Sequence, residues 1–204
     1  MNSRRSTLGL ALVVVLAIVA AACAKPPTVE LDAAKAALAA ARSAEAATYA
    51  ESALNTADTA MAAVETELKA QEAKFALFRS YKKTKELITA ATAAAKQAEE
   101  AAVAGKRKAY EEATAARDAA QASLTSVQGM LTQLEACKRK PKGFSKDMEL
   151  LRGAADGLAA SFPEIDEAVN GERYFQAKTQ AETVKTQLDQ LLADLEQAKT
   201  KIGC

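Results

Sequence analysis

Two stripes in the C-terminal half carry the clearest pattern in the chain. Tyr110, Ala113, Arg117, Ala120, Leu124, Val127, Leu131 and Leu134 recur at alternating spacings of three and four. So do Tyr174, Ala177, Ala181, Val184, Leu188, Leu191, Leu195, Ala198 and Ile202. Such spacing keeps one face of an α-helix apolar, and it predicts two long amphipathic helices over 107–137 and 172–202. Between them Phe144, Met148, Leu151, Ala155, Leu158, Phe162, Ile165 and Val169 form a third stripe, which Pro163 kinks or restarts.

The N-terminal half is less punctuated. From Thr28 to Ala104 there is neither Gly nor Pro over 77 residues, and Ala, Glu, Lys, Leu and Thr dominate, so long helices are predicted. The larger apolar residues fall on heptads in three runs of different phase: Leu31 and Leu38; Leu54 through Leu68, then Phe75 and Phe78; Tyr81 through Ala102. The slips, at 42–50 and near 78–81, predict helix–helix turns, with bends or stutters in one rod as the alternative. The fold class is therefore all-α, an elongated antiparallel helical bundle built of coiled-coil-like hairpins.

The sequence also reads as a duplication, with chance similarity among Ala-rich helices as the alternative. Residues 78–105 and 144–171 have equal length, begin at Phe78 and Phe144, and end Ala-Val-Ala-Gly-Lys-Arg and Ala-Val-Asn-Gly-Glu-Arg through Gly105 and Gly171. With both glycines taken as helix breaks, the expectation is two hairpin-like repeats, about 78–137 and 144–204, within one Ala-rich helical domain spanning 30–204.

Composition narrows the function. One residue in four is Ala (51 of 204), which favours helix but buries little surface, so the core is thin. With 27 bases against 26 acids nothing favours nucleic acid as a partner. The absence of His removes the commonest neutral metal ligand and the usual general base. There is no Gly-rich phosphate loop, CxxC or G-x-S-x-G. Adjacent carboxylates such as Glu99-Glu100, Glu111-Glu112 and Asp166-Glu167 point about 100° apart on a helix and make no acid/base pair. The expectation is a non-enzyme with no catalytic residues, metal or cofactor.

The first residues read as an address. Arg4 and Arg5 precede an uncharged run, Leu8 to Ala22, which is short for a membrane span and ends in small residues, as a secretory signal does. Ala20-Ala21-Ala22-Cys23 resembles the lipobox of bacterial lipoproteins, with Ala20 where Leu is usual. That resemblance implies a signal peptide over 1–22 and diacylglycerol on Cys23, further acylated after cleavage. Several chains are needed for a stable anchor. Ala24 resembles the pattern for sorting to the outer membrane, facing the periplasm. Ordinary secretion with an incidental Cys23 is the alternative. Residues 23–29 then form the acylated cysteine and a tether stiffened by Pro26 and Pro27.

Further along, LDAAKAALAAARSAEAATYAESALNTADTAMAAV (31–64) resembles the Ala-rich lipoproteins grouped as domain of unknown function 4398. Tyr49-Ala50-Glu51 stands where that family has a Tyr-Ala-Pro-like turn. Tyr110-Glu111-Glu112-Ala113 and Tyr174-Phe175-Gln176-Ala177 fit its later Tyr-x-x-Ala element. The resemblance, over roughly 28–125, implies a bacterial envelope location and brings no activity.

Two cysteines remain. If helices 107–137 and 172–202 point the same way, Cys137 and Cys204 finish at one end, and an oxidising compartment permits a disulfide; free thiols or an intermolecular bond are the alternatives. Lys138, Arg139, Lys140, Lys142 and Lys146 cluster around Pro141 and Gly143. They suit a solvated turn at a helix C-terminus, or contact with an anionic surface, lipid or polymer. Tyr49, Tyr81, Tyr110 and Tyr174 sit near expected helix starts, where packing is their natural role. The functional expectation is an envelope spacer, scaffold or adaptor, with an envelope protein or peptidoglycan as partner and a homo-oligomer open. The alternative is a membrane-anchored module holding an apolar or lipid-like ligand.

Overall fold

The computed structural model describes residues 25–204; the signal peptide expected at 1–22 and Cys23 lie outside the described residues. Among the described residues seven α-helices follow in order: α1 Thr28–Ser43, α2 Ala46–Tyr49, α3 Glu51–Glu72, α4 Lys82–Glu135, α5 Phe144–Ala159, α6 Phe162–Asn170 and α7 Tyr174–Ile202. A 3₁₀ turn, Ala76–Phe78, lies between α3 and α4. The fold is all-α, and no strand occurs among the described residues. The chain divides into two compact units that meet in sequence at Gly105 and Lys106.

The first unit is a three-helix arrangement of α1, α3 and the part of α4 up to Gly105. Arg42 pairs with Asp58 at 2.6 Å and Glu67 with Lys83 at 2.8 Å, so α3 runs against both neighbours. Glu30 meets Lys85 at 3.1 Å, which sets α1 and α4 side by side and parallel. Both expected phase slips coincide with turns. Glu45 takes the left-handed conformation (φ 62°) between α1 and α2, and the chain reverses again over 73–81. The core is small-residue packing: Ala34, Leu38 and Ala41 of α1, Leu54, Ala57, Met61 and Val64 of α3, and Ile88, Ala91, Ala95, Ala98 and Ala102 of α4. A buried methyl contributes far less than the roughly 1.5–3 kcal/mol of a buried Leu, so this core depends on close approach of the helices.

The second unit repeats the topology with longer helices. Arg117 pairs with Asp166 at 3.0 Å and Arg152 with Glu135, so α5 and α6 run against the C-terminal part of α4. Four side-chain bonds then link α4 to α7 and to the turn just before it, at a constant separation of 66 residues. They are Lys106–Glu172 (2.6 Å), Lys178–Glu112 (2.8 Å), Ser123–Asp189 (2.7 Å) and Lys199–Gln133 (2.7 Å). A constant difference means parallel helices in register. The expected third helix is broken where Pro163 stands: α5 ends at Ala159 and α6 restarts with Pro163 in its first turn, where its missing N–H costs nothing.

Three sequence expectations need correction. Residues 78–137 do not form a hairpin, because α4 continues through Gly105. Gly105 is there for a close approach: a Cβ on it would stand 2.4 Å from the Tyr49 carbonyl oxygen. Gly171, its counterpart in the repeat, does cap a helix, and Glu172 after it adopts φ 59° while its carboxylate takes Lys106. The repeated structural piece is thus the three-helix unit, 28–105 and then 106–204. Second, Phe75 and Phe78 do not join the core stripe of α3. That helix ends at Glu72, and the two rings are 70% and 76% exposed. Third, Tyr110 lies inside α4 rather than at a helix start, with its ring edge-on to Tyr174 at 5.5 Å.

Candidate functional site

Two surfaces concentrate the chemistry that the sequence singles out or conceals. The first is the end of the second unit where α4 and α7 finish together. Parallel register carries Cys137 and Cys204 to the same level, and the structure joins them as a disulfide with Cα atoms 5.9 Å apart. Cys137 itself is buried. Immediately after it Lys138, Arg139, Lys140, Lys142 and Lys146 are all exposed. Gly143, at φ 90°, supplies the left-handed residue that starts α5. Lys140 places its ammonium 5.8 Å from the Phe144 ring centroid, a cation–π contact. The open groove beside it is lined by Glu135, Phe144, Met148 and Arg152 among others, with Arg152 and Glu135 paired across it.

Ion pairs of this unit join its helices, and hydrogen bonding shifts the titration of some of their members. Hydrogen bonding from Lys178 holds the Glu112 carboxyl below its ordinary range, and the same bond raises Lys178. Lys185, then Ser123, lowers Asp189 in the same way. Arg117, an apparent intruder on an apolar stripe, is raised by its hydrogen bond to Asp166 while its guanidinium lies 5.6 Å from the Phe162 ring centroid. It is therefore a fastening between α4 and α6.

The second surface went unread in the sequence. At the end of α3 one polar side chain, Gln71, is buried while the apolar side chains of the following turn stand outward. Gln71, only 5% exposed, accepts hydrogen bonds from the Ser80 N–H (3.1 Å) and Lys74 Nζ (3.2 Å) and donates to Glu67 (2.7 Å). Arg79 donates to the carbonyls of Lys74 and Glu72, at 3.0 and 2.9 Å, satisfying groups that the end of α3 leaves open. Held by these bonds, Phe75, Leu77 and Phe78 stand exposed, the two rings 6.4 Å apart. The heptad spacing from Leu68 to Phe75 concealed this; the available signal was the charged pair Lys74 and Arg79 around Phe-Ala-Leu-Phe.

Of the other expected features, Cys23 falls outside the described residues. Among the described residues there is no group of three His, Cys, Asp or Glu placed to hold a metal ion, and no helix is long and apolar enough to cross a membrane. What fold and surfaces define is an all-α protein of two three-helix units, the second closed by a disulfide. The chain matches no family model, no curated protein and no solved structure.

Proposed function

We propose that this protein is a non-enzymatic lipoprotein of the bacterial envelope, held by acyl chains on Cys23, whose helical units act as a spacer, scaffold or adaptor. The observation that carries the reading is the Cys137–Cys204 bridge, because disulfides persist in oxidising compartments such as the periplasm. The address at residues 1–23 supports the same compartment, as does the likeness of residues 31–64 to alanine-rich lipoproteins. The mechanism is mechanical. Small-residue cores bring three helices close together, ion pairs fix their register, and long polar faces stay available to a partner.

Photo-crosslinking residues at exposed positions in α3 (Glu65), both parts of α4 (Thr89 and Gln128) and α7 (Thr186) test this in living cells with mass-spectrometric identification of adducts. The expected result is a discrete envelope-protein or peptidoglycan adduct confined to one face, which defines an adaptor. Self-adducts alone define a homo-oligomeric spacer. Adducts only with cytoplasmic proteins would overturn the assignment.

A further inference from the structure

We propose that the Phe75–Phe78 turn is a membrane-docking wedge that seats the first unit on the interfacial region of an anionic bilayer. Three observations converge on it. The first is inverted polarity: Gln71 is buried while Phe75, Leu77 and Phe78 are 70%, 52% and 76% exposed, and side-chain bonds from Gln71 and Arg79 fix the turn in that state. Clustered exposed apolar side chains on a bonded scaffold mark a contact surface rather than a loose loop.

The second is charge. Between positions 69 and 85 the sequence carries Lys69, Lys74, Arg79, Lys82, Lys83 and Lys85 against a single acid, Glu72, an excess of five positive charges. Glu67 and Glu30, from the flanking helices, each take one lysine, Lys83 and Lys85, Glu86 follows in α4, and Lys74 and Arg79 flank the aromatic tip in sequence. Aromatic rings ringed by long basic side chains suit the boundary between acyl chains and anionic headgroups, where rings enter and ammonium groups snorkel to phosphates.

The third is position. The Glu30–Lys85 and Glu67–Lys83 pairs put the start of α1 at the same end of the unit as this turn, and Val29, in the first turn of α1, is 77% exposed there. Cys23 precedes Thr28 by five residues, at most about 18 Å of extended chain. In this respect the proposal rests on the acylation of Cys23: an anchor at that position brings this end of the unit, and no other, to the lipid. Charge and anchor position together favour a bilayer over a protein partner.

The chain contains no Trp, so Phe78→Trp introduces a unique fluorophore at an exposed position, and Val103→Trp, 61% exposed at the opposite end of the first unit's part of α4, serves as control. Each full chain is extracted from cell membranes and reconstituted into phosphatidylethanolamine/phosphatidylglycerol vesicles with either brominated or plain acyl chains. The mass of its N-terminal peptide is read in parallel. The expected result is a blue-shifted Phe78→Trp emission that brominated lipid quenches strongly, with Val103→Trp unaffected. Acylated Cys23 with an unquenched Phe78→Trp overturns the wedge, leaves the anchor standing and gives the patch to a protein partner. Quenching without acylation sustains the wedge and overturns the anchor. Neither quenching nor acylation overturns both.

Discussion

Gly105 offers a test in which two physical arguments predict opposite signs. In a free helix, Gly→Ala stabilises by about 1 kcal/mol, because Ala sacrifices less backbone entropy. At Gly105 the new methyl would stand 2.4 Å from a backbone oxygen, that of Tyr49, where ordinary contact begins at 3.4 Å. The main chain of α2 or α4 must then move by the difference, 1.0 Å. Overpacking of that kind costs about 1–3 kcal/mol, so the net effect of Gly105→Ala is destabilisation by up to about 2 kcal/mol. Gly129 and Gly153 lie in helices with nothing within 4 Å of a built Cβ, and Gly→Ala there should stabilise by about 1 kcal/mol. Thermal melts followed by circular dichroism read the difference at about 4–8 °C per kcal/mol for a unit of this size. A Gly105→Ala protein that melts higher, like Gly129→Ala and Gly153→Ala, would refute the close approach of Tyr49 and restore the reading of Gly105 as a mere helix weakness.

Other perturbations probe the second unit. Replacing both Cys137 and Cys204 by Ser opens a loop of 67 residues and should lower stability by as much as about 4 kcal/mol with helicity retained, read by guanidinium unfolding; an unchanged midpoint, or a disulfide-linked dimer of the wild type on a non-reducing gel, would contradict the intrachain bond. Arg117→Lys removes a two-nitrogen grip on Asp166 and the stacking on Phe162 and should cost about 1 kcal/mol, whereas an unchanged melt would show that the fastening is idle. Glu112 and Asp189 titrate below their ordinary range in the folded chain. Their contribution is complete above the unfolded-state carboxylate values and is lost as pH falls through the lowered ones. Denaturation midpoints should therefore decline on acidification below the carboxylate range, and Glu112→Gln should flatten that decline; an identical slope in the variant would refute the assignment.

Much of the architecture is legible in the chain, and the exceptions have physical reasons. The alternation of three and four from Ala113 to Leu134 and from Tyr174 to Leu195 marks positions that are buried, Arg117 apart, because an uninterrupted stripe has only one way to face a neighbour. In the sequence the parallel placement of α4 and α7 is only the condition under which Cys137 and Cys204 meet; the structure supplies both. Gly105 misled because a glycine letter is the same whether it breaks a helix or admits a neighbouring backbone; only the position of Tyr49, 56 residues away, separates the two. Phe75 and Phe78 misled because heptad counting continues on paper past Glu72, where the helix itself has ended. Their exposure depends on Gln71 and Arg79 bonding across the turn, a long-range arrangement that periodicity does not record. The basic run after Cys137 is legible in position, and its five cations are exposed.

The central claim, an acylated and oxidised helical protein of the envelope, meets its most direct test in the intact mass of the chain extracted from the membranes of its own cells. The account predicts a chain beginning at Cys23, heavier than residues 23–204 by diacylglycerol with or without a further acyl group, and lighter by the two hydrogens lost in joining Cys137 to Cys204. A mass equal to the unmodified 204 residues, or to a chain cleaved near Ala22 with no lipid attached, would contradict it.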